Sequence, residues 1–222
     1  MHVEIWSDVV CPWCYIGKRR FETALAQFPH RDEVEVTYRS FQLDPDAPSH
    51  SEGTITEALA SKYGVSRAQA EAMNSRVSGI AAQEGLDYHL ETARRANTFT
   101  AHRLIHFAGA RGRQHEMKER LLRAYFTESA DIGDIETLVR LAVEIGLEAE
   151  EVREALAGDA YADAVRADER RARMLGITGV PFFVIDEKYG VSGAQPAELF
   201  MDALTQAWAE SHTNFVLVLV VS

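Results

Sequence analysis

Cys11-Pro12-Trp13-Cys14, at the end of the stretch 2–14, is the part of this chain that decides the fold. It contains both of the chain's cysteines, two residues apart, directly after an apolar strand-like segment over 2–7. Proline suits the first position of a helix, so a helix opening at Pro12 puts Cys11 at its N-terminus. There, unpaired N–H groups and the macrodipole favour an anion. The placement predicts Cys11 as an exposed, low-pKa nucleophile and Cys14, one turn further in, as the shielded resolving thiol. A structural zinc site would need two more ligands, and the sequence has neither a second cysteine pair nor an H-x3-5-H partner. A disulfide closing so short a loop would constrain the unfolded chain very little. The pair therefore reads as a redox unit.

Working outward, residues 2–43 read as strand, helix, strand. An amphipathic helix over 12–28 is followed by Val34, Val36 and Tyr38 alternating with Glu35, Thr37 and Arg39. A crossover helix between two strands of one sheet implies parallel pairing. Asp44, Pro45, Asp46 and Pro48 break the pattern. Residues 49–175 then read as six or seven helices. Thr54 with Glu57 and Ser66 with Gln69 form capping boxes, and Gly64, Gly85, Gly146, Gly158 and Gly176 stand at helix ends. Leu121, Leu122, Tyr125 and Phe126 make one apolar stripe, and Leu138, Leu141, Ala142 and Ile145 another. Strands return over 180–186 and 189–192, with a turn at Glu187 and Lys188, and Pro196 opens a last helix to about Ala209. This element order predicts an α/β chain with a thioredoxin fold and a large all-helical insertion between its two halves. The thioredoxin-like domain takes 1–48 and 176–210, the insertion 49–175, and an apolar tail 211–222.

The 222 residues, 46% hydrophobic, suffice for a full core. A formal charge of -11 argues against a nucleic-acid surface, and the basic residues of 166–173, interleaved with Asp168 and Glu169, read as a solvated helix face. No membrane span is expected. His2, Glu4 and Asp8 interrupt any apolar leader, so the expected compartment is the cytoplasm, where a dithiol is catalytic rather than structural.

Three segments together carry a resemblance to a known family. They are Ser7-Asp8-Val9-Val10-Cys11-Pro12-Trp13-Cys14-Tyr15-Ile16-Gly17, then Asn97-Thr98 with Ala101-His102-Arg103, and Thr178-Gly179-Val180-Pro181-Phe182-Phe183. On these the chain resembles the DsbA family of thiol-disulfide oxidoreductases, in particular its FrnE-like cytoplasmic branch. The resemblance implies that Cys11 attacks and Cys14 resolves, and that Pro181 is cis and faces the pair. Exposed backbone at Val180 would then receive an extended peptide or glutathione. It also implies protein or peptide thiols and disulfides as partners, glutathione as a co-substrate, and no resident cofactor. Pro12 and Trp13 belong to the substrate surface, and Asn97 and His102 are expected to border the cleft where the insertion meets the pair.

Many enzymes of this fold carry a buried acid six positions before the first cysteine; here that position is Ile5. Glu4 or Asp8 could serve instead, or either could be a solvent-facing strand-end carboxylate. His102 and His106 have a metal-compatible i,i+4 spacing, but no third ligand accompanies them, and no metal site is expected. Two other classes share the pocket. Glutathione-dependent isomerases related to 2-hydroxychromene-2-carboxylate isomerase typically present Ser where Cys11 stands, and a non-enzymatic glutathione- or cluster-binding module would use the site without turnover. Finally, residues 215–221, apolar and mostly β-branched, are expected to form a strand docked on an exposed edge or groove. Docking on a second copy would give a homodimer; the alternative is an appended tail foreign to the fold.

Overall fold

The computed structural model describes residues 1–48 and 53–212. The expected strand over 215–221 lies outside them. Four strands form one sheet: β1 (His2–Ser7), β2 (Glu35–Ser40), β3 (Phe182–Ile185) and β4 (Tyr189–Ser192), in the order β2-β1-β3-β4. β1 and β2 are parallel, with Val3 opposite Val36 and Ile5 opposite Tyr38. β3 runs antiparallel to both β1 and β4. Helix α1 (Pro12–Gln27) makes the crossover, as the two-strand pattern demanded.

Strand β1 is buried on both faces, which is why its sequence does not alternate cleanly. Val3 and Ile5 join Phe21 and Phe28 of α1 and Phe200 and Leu204 of the closing helix in one core. Trp6 points to the opposite face, packing with Ala172, Ile177 and Val184, and its indole N–H donates to the Asp168 carbonyl at 3.0 Å. Between β2 and β3 the described residues form α2 (Ile55–Tyr63), α3 (Arg67–Gln83), α4 (Phe99–Gly109), α5 (Gln114–Phe126), α6 (Ile135–Glu144), α7 (Ala149–Ala157) and α8 (Ala162–Met174). The last helix, α9 (Ala197–His212), closes the fold. Both capping boxes are present, at Thr54 and Ser66, because each needs only residues three apart. Both stripes meet in a second core, which reaches α1 through Tyr15 and Ile16.

Two expectations are corrected. The segment 84–98 is not helical: it is an irregular connection held by bonds from elsewhere. The Tyr88 hydroxyl donates to the Pro12 carbonyl at 2.7 Å, and the Tyr125 hydroxyl to the Arg94 carbonyl at 2.8 Å. The run 166–173 is not wholly a solvated face either. Asp168 and Ala172, at i,i+4 on α8, turn inward and are buried against the sheet.

The edge of β2 is closed by a side chain. The Gln114 amide accepts from the Tyr38 N–H at 2.9 Å and donates to the Tyr38 carbonyl at 3.2 Å, while the His115 ring meets the Val36 carbonyl at 2.9 Å. An amide so placed satisfies strand backbone as a neighbouring strand would.

Candidate active site

Cys11 is the N-cap of α1 and Pro12 opens its first turn, as the sequence requires. The Cys14 N–H bonds the Cys11 carbonyl at 3.0 Å, closing the turn that brings the two sulfurs together. Both cysteines are free thiols. The Val180–Pro181 peptide is cis, and the Cys11 thiol points at the Val180 carbonyl at 3.5 Å. Pro181 packs on α1 at Gly17, where an added Cβ would lie 3.0 Å from the proline Cγ. A side chain there would require the proline ring to give by a few tenths of an ångström.

Above the pair opens a cavity of about 770 Å³. Val10, Cys11, Pro12, Trp13 and Val180 form its floor, and α2 and α3 its far wall through Ile55, Leu59, Met73 and Val77. Trp13 is 39% exposed. Cys14 is not among the lining residues, nor are Asn97 and His102. The expectation that Asn97 and His102 border the cleft is therefore corrected. The Asn97 amide donates to the Pro45 and Ala47 carbonyls and accepts from the Phe99 N–H, so its polar groups are consumed in pinning the 44–48 turn to α4.

His102 lies beneath the pair. Its Nε2 sits 3.1 Å from both Asp8 Oδ1 and the Phe41 carbonyl. Both partners are acceptors, so Nε2 carries the hydrogen. His106 turns to a different carboxylate, with Nε2 2.9 Å from Asp168 and 3.1 Å from the Ser40 hydroxyl. Serine and aspartate meet the same ring nitrogen, which is not the relay geometry of a nucleophilic triad. The two histidines thus serve separate carboxylates.

The expected exposure of Cys11 is also corrected: Cys11 is 3% and Cys14 2% exposed. What separates them is direction, since Cys11 faces the cavity and Cys14 faces a buried polar layer. Two buried thiols in contact titrate as a pair. Burial pushes Cys14 up, but the hydrogen bond from Cys11, the Lys118 ammonium, the Ser7 hydroxyl and the Asp8 N–H outweigh it and bring it below the ordinary thiol value. Cys11, donating to Cys14 and buried, is pushed well up. In the resting dithiol the two sulfurs therefore share one proton and one negative charge, and the groups around Cys14 help to hold that charge.

Neither Glu4 nor Asp8 is a solvent-facing carboxylate. Burial raises Asp8, but its His102 partner and the Leu43 N–H, at 2.8 Å, hold it below its usual value. Glu4, likewise raised by burial, is brought down by Arg171 and Arg39. Both are ionised and weak as bases. The residue that sequence reasoning missed is Lys118 of α5, 1% exposed, with its ammonium donating to the Ser7 carbonyl at 3.3 Å. Burial pulls its pKa down to about 8. A signal was present: Leu121, Leu122 and Tyr125 follow Lys118 at i+3, i+4 and i+7, which sets the lysine on the apolar stripe.

This arrangement is the setting for thiol-disulfide exchange, and the comparisons agree. Residues 2–205 match the DSBA-like thioredoxin domain. The chain belongs to that family. A probable DsbA oxidoreductase from Streptomyces coelicolor is 51% identical, with a TM-score of 0.92 over 100% of this chain and 94% of that one. YwbO of Bacillus subtilis is 30% identical over 92% of this chain and 96% of its own length. The cytosolic disulfide reductase DsbM of Pseudomonas aeruginosa, in a structure with GSH, shares the DsbA-like fold at 16% identity and a TM-score of 0.66, over 93% of this chain and 98% of that one.

Proposed function

We propose that this DsbA-family protein is a cytoplasmic thiol-disulfide oxidoreductase that exchanges the Cys11–Cys14 dithiol with protein, peptide or low-molecular-weight disulfides, glutathione among them. The observation that carries the reading is the pairing of one cavity-facing sulfur with a second sulfur behind it, next to an open backbone carbonyl. In the reductive direction Cys11 hands its thiol proton to the Cys14 sulfur and, as thiolate, attacks one sulfur of a substrate disulfide, whose S–S bond breaks and releases the first thiolate. Cys14 then attacks Cys11 Sγ, the second substrate sulfur leaves as thiolate, and the protein pair becomes a disulfide. Two electrons have passed to the substrate, and the leaving sulfurs take up the protons the pair gives up, directly or through solvent. The oxidative direction is the reverse of these steps. The GSH-containing DsbM structure supports glutathione as a co-substrate. The apolar cavity wall supports substrates with apolar groups beside the reacting sulfur.

Dithiols of this fold span roughly -270 to -120 mV, so the potential sets the direction of flow. Titration against glutathione redox buffers, read by alkylation and mass, tests the proposal. One reversible two-electron step yielding a Cys11–Cys14 disulfide is expected. Cysteines that never pair at any glutathione ratio would overturn it.

A further inference from the structure

The buried polar layer under the pair has one conspicuous imbalance. Asp8 is satisfied by His102 and by the N–H groups of Val9 and Leu43. Glu4 is satisfied by Arg39 and Arg171. Lys118, among the described residues, has a single hydrogen bond, to the Ser7 carbonyl, and no carboxylate within ion-pair distance. A buried ammonium without an adjacent counter-charge is costly and persists only if one can be supplied. Cys14 can supply it. Lys118 reaches the Cys14 side of the pair at Ser7, whose carbonyl accepts from its ammonium, and the charges of Lys118 and Cys14 act on each other. The other titratable or charged groups that face Lys118 are Cys11, Asp8 and Lys18, together with Tyr38 on β2, whose ring centre lies 5.8 Å from Nζ.

We propose that Lys118 is the positioning counter-charge of the resolving thiol, so that the Cys14 thiolate and the Lys118 ammonium form together and are lost together. The inference rests on the oxidoreductase reading above. While substrate is bound to Cys11 as a mixed disulfide, Cys14–SH and a neutral Lys118 amine become Cys14–S⁻ and Lys118–NH₃⁺, with no net exchange of protons with solvent. The thiolate then attacks Cys11 Sγ, and the substrate sulfur leaves carrying the displaced electron pair. Once the Cys11–Cys14 disulfide exists the ammonium has lost its partner, and its proton passes to the departing thiolate or to solvent. Lys118 thereby takes the part of the acid missing at Ile5, from a helix more than 100 residues later in the chain.

The test isolates Cys14 in a Cys11→Ser background and follows thiolate absorbance and alkylation rate against pH. Lys118→Met is expected to raise the Cys14 midpoint by about 1 to 3 pH units, the range for loss of an adjacent opposite charge. Each unit is a tenfold loss of thiolate below the midpoint. Lys118→Gln keeps a donor for the Ser7 carbonyl and should give the same rise, so the result stands even if the Met variant folds poorly. An unmoved Cys14 midpoint in a folded Lys118 variant would overturn the proposal. Disulfide exchange by the unsubstituted protein is measured in parallel. Exchange with an unmoved midpoint rejects Lys118 alone, whereas a moved midpoint without exchange rejects the oxidoreductase reading.

Discussion

The two sides of the cysteine pair are built from opposite materials. On the outer side Cys11 meets a mostly apolar cavity, with Asp44, Lys62 and Arg95 also in its lining, whose floor includes the half-exposed Trp13 and whose wall comes from α2 and α3. On the inner side Cys14 meets Ser7, Asp8 and Lys118, all buried. The outer side can be varied with little effect on the fold, because it borders an open cavity. The inner side is less tolerant, because Asp8 and Lys118 there are buried and bonded to groups of other elements. On the function proposed above, the contrast separates two tasks, recognition of a partner's sulfur and stabilisation of a negative charge.

The sharpest test of that division is Cys14→Ser. If only Cys11 faces substrate, turnover should vanish while a mixed disulfide on Cys11 accumulates, visible as a mass adduct that a reductant removes. Adducts on Cys14 in the Cys11→Ser variant, formed as fast, would erase the distinction between the two sides.

A smaller effect is expected where the sides join. Gly17→Ala places a methyl group 3.0 Å from Pro181 Cγ and 3.4 Å from Ala194 Cα. The proline ring is stiff and Ala194 stands behind the same space, so overpacking should cost about 1 to 3 kcal/mol in urea unfolding. A variant as stable as the parent would mean that the proline segment moves freely against α1.

The smallest effect on stability belongs to Trp13→Ala. A side chain on the cavity floor with 39% exposure should change unfolding free energy by no more than about 0.5 kcal/mol. Yet KM for a disulfide carrying apolar groups should rise more than for glutathione disulfide. Equal changes for both would show that the outer side does not read apolar character.

How much of this was legible in the sequence depended on distance along the chain. The β1-α1-β2 unit, the Cys11 N-cap and both capping boxes follow from residues a few positions apart, and all are present. The cis bond at Val180 came from the family likeness, not from propensity. The buried groups around Cys14 escaped because the helix terminus was weighed alone, without the partners that other elements bring. Lys118 and Asp168 escaped for one shared reason. Each is a charged residue on an apolar stripe, the lysine with Leu121 and Leu122, the aspartate with Val165 and Ala172. Charge argues for solvent and register for the core, and register won because Ser7 awaited the one and Ser40 and Arg39 the other. Asn97 failed in the other direction: its place in a family motif suggested a ligand contact, and its amide is spent on carbonyls of the chain.

Helix α5 has a consequence for how the molecule can come apart. Gln114, closing the β2 edge, and Lys118, under Cys14, stand one turn apart on it, and Glu119 beside them binds Lys18 and Arg19 of α1. Edge, charge reserve and helix clamp are thus one cooperative unit, of the kind that opens together. Lifting α5 would bare the β2 ladder and withdraw the lysine in one movement, so exposure of the strand edge by that route also disturbs the redox pair.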